Sequence, residues 1–293
     1  MEERIVAVYQ DEVNASRMNY SCVSHFEGSR SVANSISIKY VIHGHENYEF
    51  QHRQYCVEQH HYLLIDKGNS YTGNLQSKEL NCGLCVYIDS VLTSDILFSL
   101  SNKEECALDN PQDYHSVSLD VTEGYYNGKV HTLGRQLKKL AVKASLAAEG
   151  KDNISREDMI TIAEYLVRDQ LKVGKLVQRV PAKQLAVQRE IYKRMETARD
   201  YIMERLNHPI GINELAELVH MSPYHFMRSF KSVYKLSAYQ FIQEQRLQLA
   251  CRLIRQQKWT LTEIAAATGF IDLFTFSKAF KKRFGKAPRF FIL

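Results

Sequence analysis

The chain has 293 residues, 45% apolar and 24% charged, the balance of a soluble globular protein with enough material for two domains and a sizeable core in each. No run approaches the roughly 18 apolar residues of a membrane span, and the opening Met1-Glu2-Glu3-Arg4-Ile5-Val6 carries acids and lacks the apolar core of an export signal; a cytoplasmic protein with no membrane partner is expected. The net charge of +5 is unevenly spread: residues 183–293 hold 19 Lys+Arg against 9 Asp+Glu, a net of +10, and residues 1–182 hold 19 against 24, a net of −5, which suggests a basic polyanion-binding module on a mildly acidic carrier.

Residues 1–125 read as β-rich. Ile36, Ile38, Tyr40 and Ile42 alternate with Ser37, Lys39 and Val41, the period of a half-buried strand. His43-Gly44-His45-Glu46-Asn47 follows as a turn, and Tyr48-Glu49-Phe50 resumes an extended pattern. Further short apolar runs lie at Tyr55–Val57, Tyr62–Ile65 and Leu84–Ile88, with turns predicted at His60-His61, Gly68-Asn69-Ser70 and Gly73-Asn74. Several short strands with regular turns predict a sandwich, barrel or jelly roll. Two patterns here resemble metal ligands. His43-X-His45-X3-Glu49 lacks a second motif with a further His, and Cys82-X2-Cys85 lacks a second pair. No metal or other cofactor is therefore expected. Cys22, Cys56, Cys82, Cys85, Cys106 and Cys251, without an export signal, are expected as reduced thiols.

Residues 126–182 change period. Leu133, Leu137, Leu140 and Ala144 form one stripe of a helix. Ser155 with Asp158 resembles a helix-start cap, and Ile160, Ala163, Leu166 and Val167 continue a second amphipathic helix. Such helices pack on the sheet or on a second copy, which makes a homodimer the sharper expectation. Val180-Pro181-Ala182 marks a boundary, because proline disfavours helix at the residue before it.

The region 183–293 is predicted all-helical and contains a repeat at an offset of 49–50 residues. Ile212-Asn213-Glu214-Leu215-Ala216 matches Leu261-Thr262-Glu263-Ile264-Ala265, and Phe226, Phe230 and Lys231 match Phe276, Phe280 and Lys281. Each copy has the logic of a helix-turn-helix. Asn213 and Thr262 are expected to cap the first helix, Ser222 and Asp272 the second, with Gly269 at the sharp turn of the second copy and His220 at that of the first. The Phe pairs at i,i+4 point to the core. Trp259 and Cys251 are expected to pack. One long helix, about 238–257, joins the copies and spans about 30 Å at 1.5 Å per residue.

Core burial of the Phe pairs fixes the outer faces. Double-stranded DNA is the expected partner, because the second helix of such a unit enters the major groove with its early residues near base edges. The base-reading candidates are Tyr224, His225, Met227 and Arg228 in the first unit and Leu273, Phe274, Thr275, Ser277 and Lys278 in the second. Lys231, Lys281, Lys282 and Arg283 suit phosphates.

These stretches resemble the AraC/XylS family of bacterial transcription regulators. The matching residues are Glu214-Leu215-Ala216, Ser222-Pro223-Tyr224-His225-Phe226, Phe230-Lys231, Glu263-Ile264-Ala265, Gly269-Phe270, Phe276-Ser277-Lys278-Ala279-Phe280-Lys281-Lys282-Arg283-Phe284-Gly285 and Pro288. The likeness covers about residues 190–293; Lys235 and Ala238 depart from it, standing where the family usually has Gly and Pro. Residues 40–45 and 62–68 resemble the cupin-type sensor often joined to this module. The resemblance implies an α+β multidomain chain: a cupin-like β-barrel or jelly-roll sensor (1–125), a helical connector that supports dimerisation (126–182) and a double helix-turn-helix domain (183–293). It also implies an effector-responsive, sequence-specific transcription regulator, not an enzyme, with RNA polymerase as a further candidate partner. The alternative is a cupin-fold metalloenzyme fused to a DNA-binding tail.

Overall fold

A computed structural model describes residues 3–28, 30–51, 53–101 and 118–291. Met1 and Glu2 of the opening segment, Cys106, and residues 102–117 of the β-rich zone lie outside the described residues. The chain divides into two compact units, 1–175 and 176–293. No helix among the described residues is long and apolar enough to cross a membrane.

The first unit is built on antiparallel strands: β1 (Arg4–Gln10), β2 (Arg17–Glu27), β3 (Ser31–Val32), β4 (Ile36–His43), β5 (His45–Phe50), β6 (Arg53–Glu58), β7 (His61–Ile65), β8 (Ser70–Ile88) and, after α1 (Ser90–Ser101), β9 (Gly124–Asn127). The pairing runs β1-β2-β8-β4-β7-β9, with β3 and the β5–β6 hairpin attached to β8. This path has two ends, so the pairing among the described residues is that of an open sheet. The 19-residue β8 is its hub, pairing with β2, β3, β4 and β5.

Five local expectations change. Of the expected turn at His43–Asn47 only Gly44 (φ 79°) lies between strands, and His45, Glu46 and Asn47 open β5. Gly73-Asn74 does not turn but lies inside β8, opposite Tyr48 and Asn47. His60 takes a left-handed turn (φ 71°), whereas His61 is the first residue of β7 and stacks on Tyr125 at 4.9 Å. Cys22 and Cys82 face each other across β2 and β8 and are joined by a disulfide, which corrects the expectation of reduced thiols at these two positions. Finally, β4, whose alternation suggests a half-buried strand, is buried on both faces over Ile36–Val41, Lys39 included.

Two helices close this unit. α2 (Thr132–Ala148) buries Leu133, Leu137, Leu140 and Ala144 and packs on β1, β2 and β4. α3 (Arg156–Val177) starts at Ser155, whose hydroxyl accepts from the Asp158 N–H at 3.3 Å while Asp158 accepts from the Ser155 N–H at 2.8 Å. Its buried face carries Met159, Ile162, Ala163, Leu166 and Val167; Ile160 lies half outside, one position off the expected stripe. Asp169 anchors α3 to the start of α2 by accepting from the Leu133 N–H at 2.8 Å.

The second unit contains α4 (Leu185–Glu204), α5 (Ile212–Leu218), α6 (Pro223–Tyr234), α7 (Ala238–Gln256), α8 (Leu261–Ala267), α9 (Leu273–Phe284) and a final 3-10 turn at Pro288–Phe290. α5 and α4 pack on α6, and α8 packs on α7 and α9. The buried Arg246 of α7 donates to the carbonyls of Leu206 (2.9 Å) and His208 (2.7 Å), tying α7 to the segment after α4.

Gly269 occupies a left-handed turn (φ 76°) where a Cβ would sit 2.3 Å from the Leu206 carbonyl oxygen and 2.9 Å from the Arg246 guanidinium. Gly285 is equally left-handed (φ 77°), but its Cβ would meet open space. Gly285→Ala is expected to cost about 1–2 kcal/mol, the left-handed penalty alone, and Gly269→Ala measurably more, because backbone must also move. Urea unfolding of the two variants checks this; equal losses would refute the steric contribution.

Candidate nucleic-acid interface

The two helix-turn-helix units are α5–α6 and α8–α9. Their first helices do not begin where expected. α5 follows Gly211 and α8 follows Thr260, so Asn213 and Thr262 lie within the first turn and are not caps. The repeated glutamates explain the true boundaries. Glu263 accepts from the Thr260 N–H at 2.8 Å while Thr260 Oγ1 accepts from the Glu263 N–H at 3.3 Å, and Glu214 accepts from the Gly211 N–H at 3.1 Å. The second helices start as anticipated. Ser222 Oγ accepts from the His225 N–H at 3.3 Å and Asp272 Oδ1 from the Thr275 N–H at 2.6 Å. That bond holds the Asp272 carboxyl below its ordinary value.

The turns differ in strain. His220 is left-handed (φ 52°) where the second unit has Gly269, and Lys235 is left-handed (φ 62°) at the end of α6 where α9 ends on Gly285. The first unit therefore holds two non-glycine residues in a conformation that glycine adopts freely.

Phe226, Phe230, Phe276 and Phe280 are fully buried. Phe230 packs on Tyr234 and Phe241 with ring centres at 4.7 and 5.5 Å, and Phe280 packs on Phe284 and Phe291 at 4.6 and 5.1 Å. Beneath α6 lies a buried polar network that the sequence did not reveal. Tyr234 donates to Glu196 at 2.7 Å, and Arg199 bridges Glu196 at 2.5 Å and Asp200 at 2.8 Å. It fixes the C-terminal end of α6 to α4.

With these groups inside, the opposite faces are bare. On α6, Tyr224 (70% exposed), His225, Met227, Arg228 and Lys231 face outward. On α9, Leu273, Phe274 (76% exposed), Thr275, Lys278, Lys281 and Lys282 do so, with Ser277 half-buried. Ile271, just before α9, is 95% exposed and extends this apolar edge; it was not among the sequence candidates. Arg283 is outward but engaged, since its guanidinium donates to Glu244 at 2.6 and 2.9 Å and holds that carboxyl below its usual value. Trp259, expected to pack, is half-exposed, whereas Cys251 lies in the core around α7–α9. The 19 residues of α7 span about 28 Å at 1.5 Å per residue, a separation on the scale of the ~34 Å helical turn of DNA.

Residues 215–292 match the family model described as "Helix-turn-helix domain", and this region is a helix-turn-helix domain of the AraC type. The chain is similar to the probable transcriptional regulator LumQ of Photobacterium leiognathi, 31% identical over 96 residues that make up 32% of this chain and 39% of that protein. It is also similar to the regulatory protein SoxS of Salmonella typhimurium, 27% identical over 94 residues, 32% of this chain and 88% of that protein. Among solved structures, the C-terminal domain of AraT, a response regulator from Geobacillus stearothermophilus, is 26% identical with a TM-score of 0.33, covering 33% of this chain and 82% of that one. The chain spans about two-fifths of the length of LumQ and of the Bacillus subtilis protein AdaA.

The division into core and outer face is checked by paired truncations. Phe276→Ala is expected to destabilise the second unit by about 3–5 kcal/mol, and Phe274→Ala, two residues earlier, to stay within about 0.5 kcal/mol. Chemical denaturation followed by far-ultraviolet circular dichroism distinguishes them; a large loss for Phe274→Ala would mean that its ring packs.

Proposed function

We propose that the chain is a sequence-specific DNA-binding transcription regulator, working as a binding protein and not as an enzyme. The observation that carries this reading is the pair of bare faces on α6 and α9, each held outward by buried phenylalanines in a region of net charge +10. In this reading Tyr224, His225, Met227, Arg228, Leu273, Phe274, Thr275, Ser277 and Lys278 meet base edges. Lys231, Lys281, Lys282 and Arg283 meet phosphates, Arg283 exchanging Glu244 for the duplex. Residues 183–293 form the reader, 126–182 the connector and 1–125 a cupin-like sensor. The protein acts in the cytoplasm as a homodimer, with RNA polymerase as a further partner. An effector bound by the sensor shifts the population between states of different DNA affinity.

Operators selected from random duplexes by the purified protein supply the test. Arg228→Ala is expected to weaken binding to the selected site by about 1–3 kcal/mol, with a smaller loss on unrelated duplex. Equal losses on both would reassign Arg228 to phosphate. Lys282→Ala is expected to reduce the slope of log affinity against log salt by about one, and an unchanged slope would remove it from the phosphate set. Failure of the wild type to prefer any sequence would overturn the proposal.

A further inference from the structure

The first unit holds a cavity of about 210 Å³, open to solvent on one side, between β2, β4, β5 and β8. Its lining carries two charged side chains among the described residues, Lys39 and Glu46, each 2% exposed. The Lys39 ammonium donates to Tyr71 Oη at 3.1 Å and Tyr87 Oη at 2.9 Å and lies 4.6 and 4.3 Å from the centres of the same two rings. Glu46 accepts from Tyr48 Oη at 2.6 Å. Its carboxylate rests against β8 where Gly83 leaves room; a Cβ there would lie 2.2 Å from Oε1. Among the described residues, no carboxylate stands within 4.0 Å of Lys39.

An ammonium buried with no counter-charge against it is costly, because the protein must replace the water it has lost. Two phenol oxygens and two ring faces offset part of this, but no buried counter-charge touches it. The Cys85 thiol also lies against it, but burial pushes that thiol up, which leaves the role of charged acceptor open. Glu46, in the same cavity, is a weak rival for that role: burial pushes its carboxyl up, and Tyr48 already occupies it. The remaining lining is Tyr48, Tyr71, Tyr87, Phe26, Ile5 and Val23, with Asn19, Ser21, Ser31 and Cys85 as its neutral polar groups. A dry cavity of about 150 Å³ holds benzene, so this one suits a molecule on the order of ten non-hydrogen atoms.

We propose that this cavity is the effector site, and that its ligand is a small carboxylate with an aromatic or aliphatic body, seated with the carboxylate on Lys39 and the body among Tyr48, Tyr71 and Phe26. The site rests on the effector-responsive reading for its regulatory meaning, but ligand binding is measured without DNA, so failure of one is distinguishable from failure of the other.

The experiment is isothermal titration of the full chain with phenylacetate and with its uncharged counterpart 2-phenylethanol. Wild type is expected to bind phenylacetate at least tenfold more tightly. Lys39→Met, which keeps the length and removes the charge, is expected to bind the two equally while melting no lower than wild type without ligand. Glu46→Gln, which removes the cavity's one acid, is expected to tighten phenylacetate binding several-fold and supplies an independent reading should the Lys39 variant misfold. No phenylacetate binding by wild type, equal binding of both probes, or an unchanged preference in Lys39→Met would overturn the proposal. So would weaker binding in Glu46→Gln.

Discussion

Burial of four phenylalanines decides how the second unit presents itself. A helix has one rotational setting that hides residues four apart, and once Phe226 with Phe230, and Phe276 with Phe280, are driven inside, the rest of α6 and α9 has no choice of direction. Tyr224, Arg228, Phe274 and Lys278 are exposed for the same reason that their neighbours are not. The outer face of each helix is thus a by-product of its core, and a large apolar ring such as Phe274 can stay in water only because its helix is held by rings on the other side.

The two repeats share this plan but not its cost. The second unit closes its turn and its helix end with Gly269 and Gly285, whereas the first uses His220 and Lys235 in the same left-handed conformation. Left-handed backbone costs an ordinary residue about 1–2 kcal/mol. The first unit is nonetheless well formed, and the Tyr234–Glu196–Arg199 network under α6 provides a compensating anchor that the second unit lacks in that form. Arg246 and Gly269 then lock the second turn against the segment following α4, so the two units share one scaffold within residues 176–293.

In the first unit the informative residues are the polar ones that ended up inside. β4 presents Ser37, Lys39 and Val41 to a covered face, and β5 places Glu46 and Tyr48 beside them. Folding tolerates a buried ammonium only where acceptors, rings or a ligand make up for lost water. Tyrosines from β8 supply the first two, because that long strand passes β4 and β5 in turn.

Much of the second unit was legible in the chain itself. A repeat with fixed spacing, paired phenylalanines and Ser222 or Asp272 ahead of each second helix are local signals, and local geometry turns them into helices with defined inner and outer faces. The errors there were also local: Asn213 and Thr262 are good capping residues in general, but Glu214 and Glu263 select the positions three residues before themselves. The first unit was legible only as a set of strands. Alternation along β4 cannot tell a face open to water from one covered by another strand, so the strand read as half-buried, Gly73 became a turn, and the pairing of Cys22 with Cys82 was invisible. Those features depend on which strands come to lie side by side across tens of residues, and long-range pairing is settled by the packing of the whole sheet, not by any segment alone.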